Sequence, residues 1–302
     1  MKRKYDVNDN YFDTIDNQNK AYILGFLYAD GCNYDERGCF KIDLQEEDKY
    51  MLEIFKKELE FQGNITCSFK GGYKKFGKEE FLCKPCYRLS IYSKQLSKQL
   101  SLKGCVSNKS NIMTFPNENI LPRELQRHFI RGFMDGNGTI NYWIDNKTTN
   151  HKKFGLSFCG TTEIVNSICN IIDNKFDTHS SICSRFPDRD NNNVQSNING
   201  NRNIEKILNW IYKDANLYLD RKYNKYLLLL EQNKITDEDK TLYGFLKPRR
   251  PIIRLCDKLK YESIAECSRQ TGICKSQLTK FCRNKNGFMY LDEYSKEDSN
   301  VR

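Results

Sequence analysis

Apolar residues recur at two periods along this chain, and the period changes where the elements change. CFKIDLQ at 39–45 and YRLSIYS at 87–93 alternate apolar with polar side chains, and NITCSF at 64–69 follows them more loosely. Alternation at a period of two puts successive side chains on opposite faces of a strand, so all three segments are predicted strands. Residues 50–59 and 95–102 instead space their apolar positions three and four apart, which predicts amphipathic helices. The order repeats further on. Residues 139–144, 154–159 and 180–186 read as strands, and 162–176 reads as a helix in the place of 50–59. Residues 204–230 read as mostly helical. Asp16 is the expected N-cap of a helix entering from the polar segment 1–20, and Pro122 suits the first position of another.

Both of those helices run into a ten-residue stretch that occurs twice, YILGFLYADG at 22–31 and FIRGFMDGNG at 129–138. The offset between the copies is 107 residues at every position, Gly25 to Gly132 and Gly31 to Gly138 included. A constant offset over ten positions marks two related halves. Gly25 and Ala29 are four apart, as are Gly132 and Gly136, so each helix carries a face of small residues on which another backbone could come close. Glycine costs a helix interior about 1 kcal/mol relative to alanine, and close packing between the two faces would offset that. Asp30, Arg131 and Asp135 interrupt the apolar run, so neither stretch has the ~20 apolar residues a membrane span needs. Gly31 and Gly138 fit the helix-stopping position, which leaves Asp30 and Asn137 at C-terminal ends, where the helix dipole welcomes a cation.

The two stretches resemble the signature of the LAGLIDADG homing endonucleases, and the resemblance covers roughly residues 11–232. It implies an α+β fold: two pseudo-symmetric half-domains, mixed α/β with antiparallel DNA-binding sheets, whose signature helices pack at a pseudo-two-fold axis. It implies half-domains at 1–110 and 111–232, and a metal-dependent hydrolysis of DNA phosphodiester bonds. The acid at the eighth motif position would bind Mg2+ or Mn2+, with no organic cofactor. That acid is Asp30 in the first half, whereas the second half has Asn137 in its place. The carbonyls of Ala29 and Gly136 are the implied further ligands. GCVSNK at 104–109 and YLDRKY at 218–223 occupy corresponding ends of the halves, so Lys109 and Lys222 would stand near the metal to steady phosphate charge or polarise water. A surface lysine beside a helix end is the plainer reading of each.

The polar faces of the first-half strands fit the same implication. Lys41, Asp43 and Gln45 share one face, opposite Phe40, Ile42 and Leu44; Arg88, Ser90 and Tyr92 share another, opposite Leu89 and Ile91. Basic, amide and hydroxyl groups together are what reading base edges in a major groove requires, although an ordinary solvated sheet face has the same composition.

Residues 233–250 are charged, end near KPRRP, and read as a linker. Beyond it, 252–255 reads as a strand and two short helices flank Gly272, the pattern of a helix-turn-helix over 251–302. This tail resembles a nuclease-associated modular DNA-binding domain. Its second helix would present Lys275, Ser276, Gln277, Thr279 and Lys280 to a groove.

Composition adds less. A net charge of +10 and a pI near 8.9 suit a polyanionic partner but also many solvated surfaces. Thirteen cysteines show no repeating framework and no apolar leader follows Met1, which favours free thiols in a reducing, cytoplasmic setting of bacterial, phage or viral origin. Cys83 and Cys86 form a lone CxxC, weak support for zinc. The asparagine-rich run 188–203 reads as a long, mobile hairpin loop, either reaching along DNA or a low-complexity insertion.

Two function classes follow. One is a site-specific endonuclease that binds a long asymmetric duplex as a monomer, with cleavage impaired or strand-biased because of Asn137. The other is a derivative that binds without cutting: an intron maturase on its host intron RNA, or a DNA-binding regulator. No membrane partner is expected.

Overall fold

The two copies of the repeated stretch form a closely packed pair of helices, α1 (Gln18–Asp30) and α4 (Gln126–Asn137), at the centre of the first 234 residues. Every α1 residue from Ala21 to Tyr28 is buried, and so is every α4 residue from His128 to Asp135, so both helices are walled in by protein on all sides. Their closest approach is reciprocal. A β-carbon on Gly25 would lie 2.1 Å from the carbonyl oxygen of Phe129, and one on Gly132 would lie 2.0 Å from the carbonyl oxygen of Tyr22. Tyr22 and Phe129 are themselves equivalent under the offset of 107, so one patch meets its own counterpart, as at a two-fold dimer interface. Next along, the same test on Gly136 meets the β-carbon of Ala29 at 2.1 Å. The small residues are there because backbone occupies the space.

The computed structural model describes residues 4–77, 79–146, 151–185, 192–234 and 251–299. Each half wraps its helix with an antiparallel sheet of the same topology. In the first half β1 (Gly31–Tyr34), β2 (Cys39–Gln45), β3 (Thr66–Phe69) and β6 (Cys86–Tyr92) lie in the order β1-β2-β6-β3. In the second, β7 (Gly138–Asn146), β8 (His151–Thr161), β9 (Ser181–Ser184) and β10 (Asn193–Asn199) lie in the order β7-β8-β10-β9. The register pairs Phe40 with Ile91 and Ile42 with Leu89 on the buried face, and Lys41 with Ser90 and Asp43 with Arg88 on the other. Helices α2 (Lys49–Glu58), α3 (Lys94–Leu102), α5 (Thr162–Phe176), α6 (Asn201–Tyr212) and α7 (Asp220–Asn233) cover the inner faces, and one apolar core runs through both halves. The architecture is the α+β one expected, mixed α/β with antiparallel sheets.

Local differences from expectation have local causes. Asn17, not Asp16, caps α1: its side chain accepts from the amides of Asn19 and Lys20, while Asp16 is drawn to Lys20 and Thr14. Pro122 stands before a single 3-10 turn (Arg123–Leu125), so α4 starts only at Gln126. Gly31 and Gly138 end their helices in extended rather than left-handed backbone, φ −78° and −96°. They are glycines for space, since a β-carbon on either would lie 2.7 Å from a carbonyl of its own helix, Leu27 or Met134. The asparagine-rich run is not a loop throughout: β10 occupies Asn193–Asn199 and α6 begins at Asn201, because Ser196 and Ile198 are buried beneath the amides. Residues 188–191 of that run lie outside the described residues. Residues 204–230 split into α6 and α7 at 213–219. A hairpin of β4 (Gly72–Phe76) and β5 (Glu79–Cys83) follows β3, where no strand was expected.

Residues 251–299 belong to a separate unit with its own core of Ile252, Tyr261, Cys267, Leu278, Cys282 and Phe288. Strands β11 (Ile252–Arg254), β12 (Lys260–Tyr261) and β13 (Phe288–Tyr290) pack with α8 (Ile264–Thr271), α9 (Lys275–Arg283) and α10 (Leu291–Ser299). Gly272 ends α8 at φ 74°, a left-handed turn suited to glycine, and three residues later α9 begins. Among the described residues every cysteine is free, and no helix is long and apolar enough to cross a membrane.

Candidate active site and nucleic-acid interface

Because α1 and α4 pack through their small faces, their C-terminal ends meet. Asp30 is the last residue of α1 and Asn137 the last of α4. A β-carbon on Gly136 would stand 3.4 Å from Oδ2 of Asp30, which places the carboxylate against the end of the opposite helix. Asp30 is open to solvent and Asn137 half-buried. Burial of the Asp30 carboxylate raises its pKa, and Lys222, Lys109 and Arg221 oppose that rise.

The two lysines close on this locus from equivalent directions. Lys109, in the 3-10 turn Lys109–Asn111, donates to the carbonyl of Gly31. Lys222, in the first turn of α7, donates to the carbonyls of Met134, Asp135 (2.6 Å) and Gly138 (2.8 Å). Gly31 and Gly138 are equivalent residues, so each lysine grips the final glycine of its own motif. Neither is a surface lysine: Lys109 is 7% exposed and Lys222 3%. Both ammonium groups sit at helix C-termini, where the dipole favours positive charge. An ammonium has three protons, and those of Lys222 face three carbonyls. Burial lowers its pKa to about 8.

Asp135 is turned away from the helix end. Its Oδ2 accepts from the Tyr22 hydroxyl (2.7 Å) and from the amide of Leu219 (2.9 Å), and burial raises its pKa to about 6. Arg131 is fully buried one turn earlier, donating through Nε to the carbonyl of Leu217 (2.7 Å) and through Nη1 to that of Ile211 (3.0 Å). Nη1 also lies 2.7 Å from Nδ1 of His128. A guanidinium only donates, so that Nδ1 accepts and the imidazole is neutral. Burial, then Arg131 and Arg127, hold the His128 pKa down at about 3.

Three contacts beside the lysines had no signal in the sequence. Arg221 Nε donates to both carboxylate oxygens of Asp48 (3.2 and 3.0 Å), and the amide of Asp220 donates to the Tyr50 hydroxyl (2.6 Å), so the first half holds the start of α7. In the second half the N-cap of α5, Thr161, donates to the carbonyl of Met113. Asp48 and Tyr50 read only as the opening of an amphipathic helix.

The sheets place Lys41, Asp43, Gln45, Arg88, Ser90 and Tyr92 together on one face, half-buried to exposed. Within it Arg88 is bound to Asp43 through Nε (2.9 Å), Ser68 donates to the same carboxylate (2.8 Å), and Lys41 lies 5.1 Å from the Tyr34 ring centre. The second sheet presents a face that the sequence reading missed: Thr139, Asn141 and Trp143 on β7, Gln195 and Asn197 on β10. Its β10 alternation lay hidden in the asparagine run. In the tail, Lys275, Ser276, Gln277 and Lys280 are exposed on α9 and Thr279 is half-buried, opposite the buried Leu278 and Cys282.

For a metal, the donors at the helix ends are oxygen atoms: the Asp30 carboxylate, the Asn137 amide oxygen, and the final-turn carbonyls of Ala29 and Gly136, which have no helical partner. One carboxylate with neutral oxygens suits a hard cation such as Mg2+ that completes its shell with water and phosphate. Among the described residues no group of three or more His, Cys, Asp or Glu side chains converges, the Cys83 and Cys86 thiols included. The hard-cation case rests on Asp30.

No family model matches the chain, and no curated protein matches it. Solved structures do. In fold, the chain is similar to LAGLIDADG homing endonucleases. I-SmaMI bound to an uncleaved DNA target in the presence of calcium ions is 13% identical, with 76% of this chain and 98% of that one covered at a TM-score of 0.42. I-LtrWI bound to target DNA is 14% identical, covering 79% and 97% at 0.43. I-AabMI bound to uncleaved DNA is 15% identical, covering 76% and 97% at 0.43.

Proposed function

We propose that the chain is a site-specific DNA endonuclease of the homing type, acting as a monomer on a long asymmetric duplex with Mg2+ or Mn2+. The supporting observation is the meeting of two helix C-termini: Asp30 lies against Gly136, and Lys109 and Lys222 grip the equivalent carbonyls of Gly31 and Gly138. Asp30, Asn137 and the carbonyls of Ala29 and Gly136 would hold the cation. When bound, it would supply an oriented water and stabilise the leaving oxygen.

The chain's own groups do the rest. The first-half face from Lys41 to Tyr92 and the amide-rich second face engage the duplex, with the half-domains at 1–110 and 111–232 as the two arms. The α9 surface, beyond the linker expected at 233–250, adds a further contact to the duplex. Lys109 and Lys222 provide fixed positive charge where phosphate charge grows. Lys222 does so as a field rather than as a donor to substrate, since its protons already face carbonyls. Asn137 keeps an oxygen but not the charge, so the second half holds a cation more weakly. Cleavage is therefore slow or biased to one strand.

A second reading, a derivative that binds DNA or its host intron RNA without cutting, draws on the same Asn137 and on the saturated Lys222. A duplex target selected by binding and labelled separately on each strand, incubated with Mg2+ or Mn2+, tests both. One strand nicked faster than the other, with binding that weakens steeply as salt rises, is the expected result. Equal, rapid cutting of both strands refutes the bias, and tight binding with neither strand nicked supports the second reading.

A further inference from the structure

Tyr28 and Asp135 are equivalent under the offset of 107, yet one is a phenol and the other a carboxylate. Each points out of its helix into the segment that closes its half. The Tyr28 hydroxyl donates to the carbonyl of Lys103, the C-cap of α3, and Lys109 follows six residues later. It is tucked so tightly beneath that turn that a β-carbon on Gly104 (φ +91°) would lie 2.1 Å from the phenol oxygen. Asp135 accepts from the amide of Leu219 at 2.9 Å, and Lys222 follows three residues later. Both circuits return to the helix they left. Lys109 ends on Gly31, three residues past Tyr28, and Lys222 ends on Gly138, three residues past Asp135.

We propose that Tyr28 and Asp135 are positioning residues, each fixing through the backbone of its exit segment the lysine that grips the last glycine of the motif. Opposite chemistries support this reading: a hydroxyl meets a carbonyl in one half and a carboxylate meets an amide in the other, so geometry is common to the halves where residue type is not. Packing alone would not place a carboxylate at 0% exposure, because an apolar side chain of that size would avoid its desolvation cost. The role matters because Lys222 has no slack. With its protons on three carbonyls, a shift of the α7 start would break contacts on both sides of the turn. The proposal rests on the roles assigned to Lys109 and Lys222 above, but its test does not.

The full chain, without DNA or metal, is acetylated briefly and the modification of each lysine is read by mass spectrometry. Both lysines should be slow to react in the parent. Asp135→Leu should speed acetylation of Lys222 roughly tenfold, the worth of one hydrogen bond, and leave Lys109 unchanged; Tyr28→Phe should do the reverse. Asp135→Asn lacks the charge but keeps an acceptor oxygen, so a slow Lys222 in that variant shows holding rather than charge. Both lysines changing together in either variant, or neither changing, overturns the proposal, as does a fast Lys222 in Asp135→Asn. Should Asp135→Leu fail to fold, the test stands on the other two, and an unchanged Lys109 in Tyr28→Phe refutes it. These readings hold whether or not the chain cleaves DNA.

Discussion

Gly25 of α1 meets Phe129 of α4 so closely that a β-carbon on the glycine would stand 2.1 Å from the phenylalanine's carbonyl oxygen. The obstacle is backbone, which no rotamer change removes. Gly25→Ala and Gly132→Ala should each destabilise residues 1–234 by at least the ~1–3 kcal/mol typical of overpacking, despite the ~1 kcal/mol that alanine returns in helix propensity. Urea midpoints check this. An alanine variant as stable as the parent would show that the helices do not approach as described.

Chemistry should follow charge at the helix ends. Asn137→Asp restores a second carboxylate beside Asp30 and should raise cleavage of the slower strand by roughly tenfold or more, since an anionic oxygen is the harder ligand. Asp30→Asn should abolish what cleavage the parent shows, with DNA affinity retained. Strand-resolved single-turnover rates decide. An Asn137→Asp variant no faster than the parent would remove Asn137 as the cause of any bias.

The neutral His128 predicts an acid sensitivity. Its folded pKa is about 3 against a usual 6.5, so below about pH 6.5 the unfolded chain takes up a proton that the folded one refuses. Stability from this group is complete above that pH and falls toward about pH 3, by up to ~1.4 kcal/mol per pH unit. His128→Gln keeps an acceptor for Arg131 without a proton to gain, and should lose less stability between about pH 6.5 and pH 5. Parallel denaturation profiles for parent and variant would contradict a buried neutral imidazole.

Deleting residues 251–302 should leave residues 1–234 folded, because each unit has a separate apolar core. Binding should weaken and the footprint should shorten at one end only, since a tethered second site acts through effective concentration. Footprinting of the truncated chain tests this. A shortened footprint at both ends would contradict the tail's place.

The helix pair was legible because ten residues repeat at one offset and glycine has few other reasons to recur in apolar helices. The first sheet was legible because Phe40, Ile42 and Leu44 alternate with polar residues over a long enough run. β10 was not, since Ser196 and Ile198 are too few among asparagines to set a period. Asn17 displaced Asp16 because two equally good caps stood side by side and Lys20 claimed one. The lysines were visible as candidates, but their burial and their carbonyl partners depend on contacts between residues some 80 apart in sequence. No local pattern carries that information.

The start of α7 is held from the first half: Asp48 accepts from Arg221, and the Tyr50 hydroxyl accepts from the amide of Asp220. The second half is therefore finished by the first. Half-domains of this chain are not interchangeable cassettes. A chimera that borrows a foreign second half inherits an α7 cut to a different lock, and its fit depends on which residues stand opposite Asp48 and Tyr50 as much as on the helix seam.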